Sequence, residues 1–339
     1  MNDRLEALHG YFDLMNANGA ARVYRVAIES GILDALRDGP ATAEKLAATL
    51  VLEQRPCALV LRALAAMKVV ENSDAGYRLT ALGTSLVGGS YRNLGDEYWS
   101  HLPELVRTGQ PIVRMDDAAE RATHYQTQAA ALAWMLAPAA KLAASKIGGG
   151  ASLSNQAILD LGAGSGIWSL TMAELDDGAR VTVVDWPAVL PVAESHARQL
   201  GLAIRLDTIA GNYHEVELPH SAFDIAILGN VTHLETPDGN AHLMNRASEA
   251  LRPGGVLLVF DVLPSRDEGR LNAALYELGL ALRTASGRVY SAAELTAFME
   301  GAGLRSVELL ELEVPPFAVG MLKATKPVTG RSGHHAGRA

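Results

Sequence analysis

The sequence predicts a doubly wound α/β sheet preceded by a smaller, mostly helical domain. Three observations carry that prediction. From residue 156 onward, short apolar runs alternate with helical segments, the pattern of a parallel sheet covered by helices on both faces. The first of those runs enters the turn Gly162-Ala163-Gly164-Ser165-Gly166 and then an apolar helical start, the shape of a ligand-handling strand–turn–helix. The first hundred residues read instead as helix–helix–helix–hairpin, a winged-helix arrangement.

In that N-terminal part, Val23, Val26 and Ala27 recur at helical spacing over 20–31, and a short helix over 32–36 ends at the breaker Gly39-Pro40. Thr42 is placed to cap a helix running to residue 50, and another helix is expected over 55–67. Val69-Val70, a turn at Ser73-Asp74-Ala75-Gly76, and Tyr77-Arg78-Leu79 form the expected hairpin. Such a domain raises the question of DNA. Between residues 41 and 80, however, Lys45, Arg55, Arg62, Lys68 and Arg78 are nearly cancelled by Glu44, Glu53, Glu71 and Asp74. The basic stripe that phosphate contacts require is missing, and a net charge of −9 over 339 residues agrees. An apolar association surface is the expectation for this domain, with a ligand-sensing regulator as the remote alternative.

The single cysteine, Cys57, excludes an internal disulfide and suits a reducing compartment. The start MNDRLEALHG lacks the basic and apolar regions of a secretion signal. The most apolar run, 129–140, is too short for a membrane span. A cytoplasmic location is expected.

Between the two domains, 94–110 carries Tyr98, Trp99 and His101, and 124–147 is a long alanine-rich helical stretch with Tyr125, Trp134 and Met135. Pro138 is expected to kink or break it. Tyr98, Trp99, His101, Trp134 and Met135, with Leu282 further on, are candidates to line a substrate site; helix packing is the plainer explanation for the aromatics. Gly148-Gly149-Gly150 marks a break. The expected organisation is a domain over 1–95, a second over 96–325 with a helical linker at 96–150, and a disordered Gly/Ser-rich tail over 326–339 that holds His334-His335.

Strands are expected at 158–161, 180–184, 203–208, 223–228 and 256–260, with helices at 168–174, 188–200, 238–251 and 291–302. Two more strands, 306–313 and 317–325, flank Pro315-Pro316 and read as an antiparallel hairpin at the sheet edge. The carboxyl ends of the first five strands present Asp160 with Gly162, Asp185 with Trp186, Gly211-Asn212, Asn230 with His233, and Asp261. Each alone has an ordinary explanation as a loop cap. Five at one edge define a ligand crevice, because open α/β sheets bind ligands outside the carboxyl ends of their strands. Ile167 stands where a dinucleotide fingerprint has its third glycine, so G-x-G-x-G suits a ligand without a pyrophosphate. Asp185, 19 residues beyond Gly166, is placed for ribose hydroxyls, and Asn212 for an adenine edge. No spaced His/Cys/Asp cluster suggests a metal site.

The series ILDLGAGSG, VTVVDWP, AGNYH, LGNVTHLETPD and LRPGGVLLVFD resembles the successive motifs of class I S-adenosylmethionine-dependent methyltransferases of the caffeic-acid and acetylserotonin O-methyltransferase type. The N-terminal domain, with Gly39-Pro40, Lys45-Leu46-Ala47 and Tyr77-Arg78-Leu79-Thr80, resembles that family's winged-helix dimerisation domain. The resemblance covers nearly the whole chain. It implies a Rossmann-like sheet, S-adenosyl-L-methionine as cofactor, a homodimer, and methyl transfer to a hydroxyl of a small aromatic or polyketide-like metabolite.

Carried onto this chain, the resemblance implies a cofactor site of Asp160, Gly162, Gly164, Gly166, Asp185, Trp186, Asn212, Tyr213 and Asn230. The general base falls on His233, and an acid that orients it on Asp261, 28 residues later. Several positions depart from the family pattern. Asn212 replaces an adenine-contacting acid, Leu234-Glu235 follow the histidine in place of Asp-Trp, Gly229 replaces a lysine, and Val289 replaces a second orienting acid. The missing acid at Val289 leaves room for altered chemistry on the same fold and cofactor: C- or N-methylation, hydroxylation, decarboxylation or pericyclic catalysis. Of the other histidines, His196 and His242 are expected on solvated helix faces, while His214 and His220 carry no assigned role.

Overall fold

A computed structural model of the protein describes residues 2–88, 92–115, 117–148, 155–263, 267–314 and 319–328. The chain forms two compact units, Met1–Glu97 and Tyr98–Ala339.

In the first unit, helices Asn2–Glu29, Ile32–Ala35, Ala43–Leu50 and Gln54–Ala66 lead into the hairpin β1 (Val70–Ser73) and β2 (Gly76–Leu79) and a further helix, Ala81–Gly88. The Thr42 hydroxyl accepts from the Lys45 amide, as its cap position requires. Leu33, Leu46, Leu61, Leu64 and Val70 close the core. The first helix begins at Asn2, well before the expected start at residue 20. Residues 3–19 are exposed all the way round, although Leu5, Leu8, Phe12 and Met15 recur there at helical spacing. The Ala81–Gly88 helix was not among the expected elements.

The second unit opens with short helices and then the helix Ala118–Gly148, which runs through Pro138 without ending. Pro138 removes one amide and orphans the carbonyl of residue 134. Both Trp134 and Pro138 lie on the exposed side, where solvent can satisfy that carbonyl. Strands β3 (Ala157–Leu161), β4 (Arg180–Asp185), β5 (Leu206–Ala210), β6 (Phe223–Gly229), β7 (Leu251–Val262), β8 (Arg305–Glu311) and β9 (Val319–Thr325) make one sheet in the order β5-β4-β3-β6-β7-β9-β8. The first five are mutually parallel, and β9 inserts antiparallel between β7 and β8. The expected third strand starts three residues late, because 203–205 wind into a 3-10 turn before the chain extends. The helix Asp267–Ala281 was also unanticipated. Pro315-Pro316, Gly149-Gly150 and the tail beyond 328 lie outside the described residues.

Side chains along the central strands alternate between two cores, as a period of two demands. Ile158, Val181, Val183, Ile225, Ile227, Leu258 and Phe260 face one apolar layer. Leu159, Leu161, Val184, Ala226, Leu228, Leu257 and Val259 face the other. Burying both faces of one sheet fixes its register, since a one-residue slip would exchange the two sets. Strand order reverses between β3 and β6, which places the expected crevice at their carboxyl ends.

Candidate active site

The glycine turn after β3 is built from left-handed backbone: φ is 72° at Gly162, 57° at Gly164 and 67° at Gly166. A Cβ on Gly162 would lie 2.7 Å from a Val231 methyl, so both conformation and space require glycine there. At Gly164 a Cβ would meet only Ala129, at 3.9 Å. That is ordinary van der Waals contact, so the position is not crowded, and its positive φ is what favours glycine. The turn is held from the next strand: the Gly164 amide donates to Asp185 Oδ2 at 2.7 Å, and the Trp186 amide to Oδ1 at 2.7 Å. Burial pushes the Asp185 carboxyl up, against the pull of those two amides. His196, expected in solvent, instead bonds the Ser165 carbonyl through Nδ1 at 2.9 Å and so braces the turn from a third element.

Asp160, at the end of β3, is 1% exposed. Its Oδ2 accepts from the Ser169 hydroxyl at 2.6 Å, while Oδ1 has no partner among the described residues. Burial pushes this carboxyl up to about 7; Ser169 works against that and the charge of Asp185 adds to it.

At the end of β6, Gly229 lies under the Trp168 indole: a Cβ there would come within 2.3 Å of Cδ1. The indole stacks on Phe260 at 4.0 Å and donates to Asn230 Oδ1 at 3.1 Å. Asn230 itself is left-handed, with φ 58°, and its amide donates to the Phe260 carbonyl at 2.7 Å.

His233 sits in a 3-10 turn, Thr232–Leu234, and is 2% exposed. Its Nδ1 lies 2.8 Å from Asp261 Oδ1. Asp261 also accepts from the Thr232 hydroxyl, the His233 amide at 3.1 Å and the Val262 amide at 2.8 Å. Burial alone would push the Asp261 carboxyl up, but His233 and these donors hold it below the usual carboxylate range. An ionised Asp261 can only accept, so Nδ1 carries the proton and Nε2 presents its lone pair. On that side stands Tyr276, with its hydroxyl 3.0 Å from Nε2.

One turn further, Glu235 anchors a second buried cluster. Its Oε1 accepts from the Tyr213 hydroxyl at 2.6 Å and from Arg121 at 3.2 Å, and its Oε2 lies 2.9 Å from His214 Nε2. Burial pushes Glu235 up, but His214, Tyr213 and Arg121 together hold it below its ordinary value. Burial and the charge of Glu235 raise the Tyr213 phenol well above its own. The Tyr213 ring covers Gly162, so the cluster reaches the glycine turn.

The remaining expected site residues have varied surroundings. The Asn212 side chain is turned into its own loop, accepting from the His214 amide and donating to Glu215. Tyr98 packs edge-on to His124 and lies under the Arg283 guanidinium. Leu282 is fully buried, Trp134 is 61% exposed, and the His101 ring is bonded to the Gln110 carbonyl. Trp99 and Met135 are half-buried. Sequence reasoning missed Ser169, Trp168, Arg121, Glu235 and Tyr276. For Glu235 a signal existed, an acid where the family pattern has an apolar ring. Among the described residues no group of acids, histidines and cysteines could hold a metal ion, and no helix is long and apolar enough to cross a membrane.

A glycine turn at the switch point, a carboxylate on the second strand and a buried His–Asp pair define a methyltransferase of the doubly wound type. Comparison with known proteins agrees. The family model described as an O-methyltransferase domain matches residues 99–305, and the O-methyltransferase dimerisation domain matches 12–89. The chain belongs to the O-methyltransferase family. It is 27% identical to the 3-hydroxy-5-methyl-1-naphthoate 3-O-methyltransferase of Streptomyces sahachiroi over 89% of this chain and 91% of that protein. It is 31% identical to acetylserotonin O-methyltransferase of Mus musculus over 88% of this chain and 84% of that protein. The crystal structure of human N-acetylserotonin methyltransferase in complex with SAM superposes with a TM-score of 0.70 at 23% identity, covering 95% of this chain and 98% of that one.

Proposed function

We propose that the protein methylates a hydroxyl of a small aromatic or polyketide-like metabolite, using S-adenosyl-L-methionine and His233 as general base. The observation that carries this reading is the buried pair His233–Asp261, with Nδ1 at 2.8 Å from an ionised carboxylate and Nε2 left as a proton acceptor. S-adenosyl-L-methionine, once bound, supplies an electrophilic methyl group. The residues present suit it. Gly164 is uncrowded, Asp185 is fixed by two amides with lone pairs to spare for ribose hydroxyls, and Asp160 keeps one oxygen without a partner among the described residues. Gly162, Gly166, Trp186, Tyr213 and Asn230 shape that wall, and Asn212 borders it.

The chain's own contribution is positioning and proton removal. A phenol with a pKa of about 10 is mostly protonated at neutral pH, so its oxygen attacks faster when the proton has somewhere to go. General-base assistance is worth roughly 10²–10⁴ in rate. Asp261 keeps the imidazole in the right tautomer and stabilises the imidazolium that forms. Mass spectrometry of a phenol library incubated with S-adenosyl-L-methionine tests the reading. Products heavier by one methyl are expected; a library left unchanged contradicts it.

The first helix supports a homodimer. Leu5, Leu8, Tyr11, Phe12, Leu14 and Met15 are all exposed there, an apolar surface suited to a second copy of the chain. Sedimentation is expected to give twice the monomer mass.

A further inference from the structure

Tyr276 lies on the helix Asp267–Ala281, which the sequence did not reveal. Its hydroxyl stands 3.0 Å from His233 Nε2, and its ring meets the imidazole edge-on at 5.3 Å and 89°. With Asp261 on Nδ1, both ring nitrogens of His233 are engaged, and the histidine is 2% exposed. Tyr276 is half-buried. It covers the ring nitrogen that would take a proton and is itself less buried than the histidine.

The phenol is firmly held. Tyr276 packs against two buried apolar clusters, Val262 with Ala273 and Met115 with Leu234 and Leu280. Val289 is the position where the family pattern has a second acid. Here that side chain is apolar and packs against the same two clusters as Tyr276.

We propose that Tyr276 is a catalytic proton relay between the acceptor hydroxyl and His233, an inference that rests on His233 being the base. A tyrosine hydroxyl both donates and accepts, so one proton can arrive as another leaves. The acceptor O–H bond breaks and its proton passes to Tyr276 Oη. In the same step the proton of Tyr276 passes to His233 Nε2. The acceptor oxygen forms the bond to the methyl carbon, and the electron pair of the broken carbon–sulfur bond stays on the cofactor sulfur. Tyr276 ends as it began, and the net proton rests on an imidazolium paired with Asp261.

The test is Tyr276→Phe, which keeps the packed ring and removes only the hydroxyl. Turnover is expected to fall about 10- to 100-fold, a part of the general-base effect, with the acceptor KM within about threefold because the pocket wall is retained. Turnover in H₂O/D₂O mixtures separates a relay from a structural role: two moving protons give a curved proton inventory in the wild type, and one gives a straight line in Tyr276→Phe. Apart from activity, the ¹⁵N resonance of His233 Nε2 in cofactor-free protein is expected to move on substitution. Unchanged or faster turnover would overturn the proposal, since the phenol would then be displaced by the acceptor. So would a loss of turnover with the same inventory in both proteins, or an Nε2 resonance that stays put. Full activity in His233→Ala would sink the base assignment instead, and the two failures are read from different variants.

Discussion

Asp160 and Asp261 are near-equivalent in the backbone and opposite in chemistry. Each is the penultimate residue of a parallel strand, β3 and β7, two places apart in one sheet, and each is almost fully buried. Asp261 gathers donors from Thr232, His233 and Val262 and is held below the carboxylate range. Among the described residues Asp160 is served by Ser169 alone and keeps a bare oxygen; it lies beside the charge of Asp185 and is pushed up to about 7. Burial is common to both, so the neighbours decide. The His233 charge and several donors lower Asp261, while Asp160 has Ser169 against the added charge of Asp185. Asp261 is a finished machine part that needs nothing from outside. Asp160 is unfinished, and a cationic cofactor at the glycine turn would complete it.

Breaking the finished end should have the largest effect. Asp261→Asn is expected to lower turnover by roughly 10²–10⁴-fold, because the amide can no longer enforce the Nδ1–H tautomer. Cofactor affinity by calorimetry should stay close to wild type, since Asp261 lies away from the glycine turn. Asp185→Ala should do the reverse. It removes the acceptor that holds the Gly164 amide, and cofactor binding is expected to weaken roughly a hundredfold or more, two charge-assisted bonds being worth at least about 3 kcal/mol.

The smallest effect sharpens the contrast through pH. The Asp160 carboxyl rises from 3.8 to about 7 on folding. Below pH 4 it is protonated in both states and has no effect. Between pH 4 and 7 the unfolded chain releases the proton and the folded chain keeps it, so stability falls as pH rises and levels off above 7. Asp261 has the opposite sign: its contribution is present above pH 4 and is lost as pH falls through its depressed value. Asp160→Asn should therefore raise the melting temperature at pH 8 by a few degrees and leave it unchanged at pH 4. Equal shifts at both values would break the comparison.

Much of this was legible in the sequence where the signal is local. The glycine turn, the strand-end polar residues and the His233–Asp261 spacing sit in short motifs, and two-sided burial of the sheet imposes recognisable apolar runs. What was hidden depends on distance. Arg121 meets Tyr213 and Glu235 across 92 and 114 residues, and Tyr276 meets His233 across 43; no periodicity records such pairs. The first half of the opening helix did carry a local signal, Leu5, Leu8, Phe12 and Met15 at helical spacing, although those residues stay exposed. Of the two outcomes expected at Pro138, a break does not occur. The residue before it in the ladder, Trp134, is exposed, where water can reach the orphaned carbonyl.

The central claim is that one buried histidine, oriented by Asp261, removes the acceptor's proton. His233→Ala, assayed beside calorimetric cofactor binding, tests it most directly. Turnover is expected to fall about a hundredfold with cofactor affinity unchanged. Wild-type turnover in that variant would contradict the account.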